Sequence, residues 1–305
     1  MYFRAYHALP TSLTDTTGRP INAVHGLLDM LARLITIHRP DALICAWDVD
    51  WRPRWRVTLL PGYKAQRVAD RVTTDVVGAG GVGVPSGQQE SAPADLAAQL
   101  PLIATALRVA GFPVVGCPGY EADDVLGTLT RVVAERGGSS VVVTGDRDLF
   151  QLVDGDTRVA YLARGVRNHE LVDDQWLLSQ YRIRSDQYAD FATLRGDPSD
   201  GLPGVPGIGE KTAAKLIIDF GDLDGVLTAA ASLTTRGAAG NELQRPAIPP
   251  ALRSRLLANW DYLQRASQVV RIVRDLPLEL PDVPIGQASV GDCARLADDR
   301  RLRGP

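Results

Sequence analysis

The spacing of apolar residues predicts an α/β protein, with helices packed on a parallel sheet in the first half and a small helical domain after it. Three observations carry this. Apolar runs of strand length at 42–47, 113–116 and 141–144 alternate with amphipathic stretches of helical period. After about residue 170 the strand-like runs thin out and helical patterns dominate. The chain has 305 residues, 45% hydrophobic and 23% charged, enough to bury one large core or two ordinary ones.

Taken in order, residues 22–38 place Val24, Leu27, Leu28, Leu31, Leu34 and Ile35 on one helical face. The run 42–47 reads as a buried strand ending at Asp48. A helix over 96–110 packs through Leu96, Leu100, Ile103, Leu107 and Ala110, and Pro101 is expected to kink or restart it. A short strand at 113–116 precedes a helix over 121–134, which turns Val125, Leu129, Val132 and Val133 inward. The strand at 141–144 stops at Gly145. Sites on such a sheet lie beyond the carboxyl ends of its strands. Helices are predicted over 173–181, 186–195, 210–220 and 250–265. Residues 76–94 and 229–250, rich in Gly, Ser, Pro or Ala, read as flexible insertions.

No apolar run is long enough to span a bilayer, and residues 1–7 lack a secretory signal. Cys45, Cys117 and Cys293 form neither a disulfide framework nor a zinc pattern. A cytoplasmic location is the expectation. The net charge of −3 argues weakly against a nucleic-acid partner. Yet residues 51–69 carry Arg52, Arg54, Arg56, Lys64 and Arg67 without an acid, interleaved with Trp51, Trp55 and Tyr63. The average is therefore a poor guide.

The acids gather in clusters. Glu121, Asp123 and Asp124 open a predicted helix, where the helix dipole alone would favour them. Glu121 and Asp124 share a face while Asp123 points roughly 100° away, a spread that suits ligands reaching towards more than one point. Asp146 and Asp148 follow a predicted strand, where an Asp helix cap is the plainer explanation. Asp197 and Asp200 lie in a loop where Asp is usually turn chemistry. Asp48 ends another strand. If these acids converge, they need a compensating cation. Oxygen donors without His or Cys select Mg²⁺ or Mn²⁺, and a pair of such ions suits phosphodiester cleavage.

The most specific motif is the run 201–217, GLPGVPGIGEKTAAKLI. Gly207 and Gly209 permit a tight turn that points helix-start amides at a phosphate oxygen. Lys211 and Lys215 share one side of the following helix, with Ala213, Ala214, Leu216 and Ile217 as its packing surface. The string matches a helix-hairpin-helix, which binds DNA backbone without reading bases.

With FRAYHALP (3–10), AWD (46–48), GYKAQR (62–67), GYEADDVLGTL (119–129), VVVTGDRDLFQLV (141–153) and LRGDPSDGLPGVPGIGEKTAAKLI (194–217) in view, the chain resembles the 5′→3′ exonuclease and flap endonuclease family. The likeness is strongest to the N-terminal nuclease domain of bacterial DNA polymerase I, here as a stand-alone form. It implies a PIN-like, resolvase-like core over 1–167 with a helical arch at about 64–95. A helix-hairpin-helix domain over 168–265 and a C-terminal segment over 266–305 would follow. It implies a two-ion Mg²⁺ or Mn²⁺ site on Asp48, Glu121, Asp123, Asp124, Asp146, Asp148, Asp197 and Asp200, with potassium at the hairpin. Catalysis would fall to Asp146, Asp148 and Lys64, the last neutralising the scissile phosphate. DNA contacts would come from Arg4, Tyr63, Lys64, Arg67, Gly207, Gly209, Lys211 and Lys215. The partner would be duplex or flapped DNA at a 5′ end, with no membrane and no stable protein partner.

The chain departs from the family pattern twice. The family opens with an apolar strand ending in Asp before the segment matched by Tyr2–Pro10, so the natural start is expected to lie upstream. An in-frame upstream sequence without that run and Asp would sink this expectation. Residues 68–95 are also longer and richer in glycine than the usual arch. A DNA-structure-binding protein impaired in catalysis is the alternative, and a small RNA-cleaving nuclease is disfavoured by the hairpin.

Overall fold

The structure, a computed structural model, describes residues 1–68, 90–232 and 247–279. Most of both predicted insertions, and Cys293, lie outside the described residues. Helices α1 (Tyr2–Ala8), α2 (Asn22–His38) and α4 (Ala94–Val109) pack together at one side, with α3 (Arg54–Leu59) between α2 and α4 in sequence. The helix α5 (Ala122–Glu135) packs on strands β1 (Cys45–Ala46) and β3 (Ser140–Thr144). The second half supplies α6 (Asp174–Tyr181), α7 (Tyr188–Arg195), α8 (Glu210–Phe220), α9 (Leu223–Ala231), α10 (Pro250–Ala258) and α11 (Trp260–Val270).

The strands form two small sheets rather than one. β1 pairs in parallel with β2 (Val114–Val115). β3 pairs in parallel with β4 (Thr157–Tyr161), which pairs antiparallel with β5 (Glu170–Val172). The last two strands have no counterpart in the sequence reading, because their apolar residues are few and interrupted by charge. Pro101 does not break its helix: α4 runs through it. Thr105 Oγ donates back to the Pro101 carbonyl at 2.8 Å. The predicted helix over 250–265 is two, divided at Asn259.

Capping here is tertiary. Ile21, the N-cap of α2, offers no side-chain cap, leaving the first amides of the helix to be satisfied elsewhere. Buried Gln99 of α4 accepts from the Ala23 amide at 2.8 Å and donates to Asn22 at 3.0 Å. Asn22 in turn donates to the Tyr6 and Leu9 carbonyls at the end of α1. One polar chain thus ties three helices. Phe150, Trp176 and Tyr188 meet edge to face, with centroids 5.5 and 5.4 Å from Phe150. Their cluster continues without a break to Leu263 and Val270 of α11, so the sheet and the helical half share a core.

At the C-terminus of α2, His38 and His169 face each other with Nε2 atoms 3.1 Å apart, and His169 Nδ1 lies 2.7 Å from the Val166 carbonyl. Burial first, and His169 second, lower the pKa of His38. A base whose folded pKa is lowered contributes stability that is lost as pH falls below its unfolded value, about 6.5. Thermal melts at pH 7 and pH 5 should show wild type losing more stability on acidification than His38→Gln.

A carboxylate centre beside a glycine hairpin

Loop and helix starts bring the acids together. Asp48 follows β1 and accepts from the Ala122 amide at 2.7 Å, pinning the start of α5 to the strand end. Glu121 is the N-cap of α5, and Asp123 lies in its first turn. Asp146 follows β3, with its amide on Thr144 Oγ, and accepts from the Asp148 amide at 3.0 Å. Asp197 caps the turn before Asp200, accepting from the Ser199 amide and hydroxyl at 2.8 and 2.6 Å. The turn chemistry expected of Asp197 is therefore present.

Electrostatics groups seven of the eight acids. Burial first, then Asp146, Glu121 and Asp48, push the Asp123 carboxyl well above the ordinary range, although Lys64 opposes this. Burial, Asp146, Asp200 and Asp197 push Asp148 up to about 8, with Arg195 opposing. The two groups share Asp146. Glu121, Asp123, Asp148 and Asp200 also line one small cavity of about 20 Å³, large enough for one water-sized occupant. Asp148 Oδ1 is buried with no hydrogen-bond partner. An all-oxygen donor set, an orphaned buried oxygen and carboxyls that resist ionising fit hard divalent cations. Among the described residues, no three His, Cys, Asp or Glu side chains stand close enough to hold a metal ion as they are.

Asp124, expected among the metal ligands, is already fully engaged by other partners. It is fully buried, and Arg56 grips both of its oxygens at 2.7 Å. Oδ2 also accepts from the Glu121 amide and Oδ1 from the Val273 amide. Neither oxygen is left facing the cavity acids. The reason is its place in the helix: Asp124 turns toward α3, whereas Asp123 turns to the cavity.

The basic run at 51–69 proves largely internal. Arg52, Arg56 and Lys64 are 6%, 2% and 9% exposed. Arg52 donates to the Tyr63 and Pro61 carbonyls, fixing the turn that carries Lys64. Lys64 Nζ bonds Glu121 Oε2 at 2.7 Å and approaches Asp200 Oδ2 at 4.0 Å. Burial works against its charge, but Glu121, Tyr63, Asp200 and Asp123 outweigh it and hold its pKa well above the usual lysine range. Arg67 bonds Asp200 Oδ1 at 2.5 Å.

Tyr63, expected at the DNA surface, is instead 4% exposed and donates to Glu121 Oε1 at 2.9 Å. Its phenol orients a carboxylate. Two loops meet closely here. A Cβ on Gly201, whose φ is +71°, would lie 2.2 Å from the Gly62 carbonyl. That contact requires glycine and lets the Lys64 amide bond the Asp200 carbonyl at 2.8 Å. Arg4 lies against Gly145, next to Asp146.

Gly209 caps α8 with no side-chain bond, and Gly207 adopts φ +77°. The hairpin is thus an exposed turn whose helix-start amides no side chain satisfies. Lys211 is exposed. Lys215 is exposed but paired with Asp219 at 2.7 Å. Arg56 has a structural role that residue order did not assign; its only signal there is an arginine eight residues before Lys64.

A resolvase-like core that gathers carboxylates at strand ends, joined to a helix-hairpin-helix, defines a class of nuclease. Residues 1–182 match the 5′–3′ exonuclease N-terminal resolvase-like domain, and residues 183–289 match the 5′–3′ exonuclease C-terminal SAM fold. The chain belongs to the 5′–3′ exonuclease family and is an enzyme of that nuclease class. It is 46% identical to a 5′–3′ exonuclease of Streptomyces coelicolor, over 91% of this chain and 85% of that one. It is 36% identical to DNA polymerase I of Mycobacterium leprae, over 90% of this chain and 26% of that one. Among solved structures it resembles the T5 5′-exonuclease with divalent metal ions (zinc) bound, at TM-score 0.63 and 16% identity, covering 89% and 86% of the two chains. No helix among the described residues is long and apolar enough to cross a membrane.

Breaking one side of the Arg56–Asp124 pair strands a buried charge. Arg56→Met should cost about 3–5 kcal/mol of unfolding free energy. Arg56→Met with Asp124→Leu should cost less than either single change, as read from urea denaturation.

Proposed function

We propose that this chain removes nucleotides from the 5′ ends of double-stranded DNA, with flap cleavage as a second activity of the same centre. The observation that carries the proposal is the cavity where Glu121, Asp123, Asp148 and Asp200 converge from three distant segments. Mg²⁺ or Mn²⁺ ions fit this donor set and would supply water activation and stabilisation of the leaving oxygen. Asp48, Glu121, Asp123 and Asp146 would hold one ion, and Asp146, Asp148, Asp197 and Asp200 the other.

The chain's own residues divide the remaining work. Tyr63 holds Glu121 in orientation. Lys64 and Arg67 keep positive charge beside the acids, where a phosphate can exchange for part of their present pairing. Arg4, whose guanidinium lies against Gly145, is assigned to the DNA strand. The hairpin at Gly207 and Gly209, with Lys211, grips the duplex backbone away from the cut, and a potassium ion is compatible with its open turn. Division at 1–167, 168–265 and 266–305 remains part of this proposal.

The test is Mg²⁺-dependent release of nucleotides from a 5′-labelled duplex, followed on a gel. Asp146→Ala, which removes the carboxylate common to both groups, should abolish release while leaving duplex affinity largely intact. Retained release would overturn the two-ion assignment. Binding without any release by wild type, at every Mg²⁺ or Mn²⁺ concentration tried, would favour the alternative of a DNA-structure-binding protein.

A metal-free readout is available as well. Asp148 is protonated up to about pH 8 in the folded chain, so folding becomes less favourable as pH rises from about 4 to that value. Asp148→Asn removes this cost. Its melting temperature in EDTA should exceed that of wild type, by a margin that grows from pH 5 to pH 8.

A further inference from the structure

The hairpin has a charge problem. From Gly207 to Asp219 its two bases, Lys211 and Lys215, are matched by two acids, Glu210 and Asp219. Lys215 is already committed to Asp219. A turn meant to hold a phosphate is therefore neutral on its own, whereas phosphate binding is rewarded by excess cationic charge.

The missing charge comes from another helix. Arg255 of α10 reaches back to the turn, and its guanidinium occupies the space beside Gly207. A Cβ at that glycine would lie 2.3 Å from Arg255 Nη1 and 3.2 Å from its Cζ. Gly207 thus serves two ends: φ +77° turns the chain, and the absent side chain admits the guanidinium. Arg255 is exposed. Among the described residues, no side-chain hydrogen bond or ion pair engages its guanidinium. A planar cation with free donors, set beside helix-start amides, is suited to a phosphate oxygen.

We propose that Arg255 completes a backbone-phosphate site with the Gly207–Gly209 turn and Lys211, and is the residue that makes this hairpin net positive. The ligand is the phosphodiester backbone of duplex DNA, contacted without base preference. This rests on reading the hairpin as a phosphate-binding element, and the experiment separates the two claims.

Anisotropy titrations would use a fluorescein-labelled duplex and the full chain carrying Asp146→Asn to prevent cleavage, at several KCl concentrations. Arg255→Gln, which keeps the stem and its packing, should weaken binding about tenfold at moderate salt. It should also lower the slope of log affinity against log salt by about one. Arg255→Lys should restore the slope. The melting temperature of Arg255→Gln should match that of the parent, since a packing role alone would lower it without moving the salt slope. An unchanged slope for Arg255→Gln alongside a reduced slope for Lys211→Ala would overturn the role of Arg255 and leave the hairpin reading standing. Unchanged slopes for both would overturn the hairpin reading itself.

Discussion

Crowded negative charge at the ends of β1 and β3 is the constraint on which the rest depends. Several carboxylates near one small cavity cannot all ionise unless positive charge is brought among them. The chain solves this internally with one segment. Arg56, Lys64 and Arg67, all between residues 54 and 68, pair with Asp124, Glu121 and Asp200 respectively. These pairs join the α5 start, the 197–201 turn and the segment from α3 to Arg67 into one unit. Their carboxylates are held close, yet some remain only partly neutralised and so ready for cations.

Arg56 carries much of the architecture. Besides Asp124 it donates to the Val269 carbonyl, while Asp124 accepts from Val273. The end of α11 and the residues after it are thereby fastened to the start of α5. A buried pair of this kind offers little net stability against an apolar substitute, but it is costly to break on one side. Its value here is geometric: it sets where α3 ends and hence where Lys64 sits. Asp190 acts similarly among the helices, accepting from the Leu223 amide at the α9 start and from Arg271.

Much of this was legible in residue order. Apolar period placed α2 and α8 closely, because each buries one face against its neighbours; α5 and α7 were also placed closely, although α7 is buried on every side. The Gly-rich string placed the hairpin, since a tight turn followed by a helix start has local causes. β4 and β5 were missed because their pairing depends on β3, not on their own periodicity. Pro101 does not restart the helix, because the packing of α4 outweighs the local loss of one amide bond. The acid clusters were visible as clusters, but the division of labour within Glu121–Asp124 was not. Adjacent positions on a helix face different neighbours, and only the neighbour decides which acid is spent on an arginine.

Residue order alone settled what is local or strongly patterned: the alternation of strands and helices, the glycine turn and the abundance of acids at loop starts. Its likeness to a nuclease family followed from those strings. Tertiary structure decided which charges meet. The basic run at 51–69 reads as one feature in sequence, yet folding sends Arg56 to Asp124, Lys64 to Glu121 and Arg67 to Asp200. Arg255, 48 residues beyond Gly207 in the chain, reaches the hairpin only because α10 packs beside it. Electrostatic interactions fall off with distance in space, not along the chain. The carboxylate spacing therefore announces a site, and the fold determines which of those carboxylates are left to serve it.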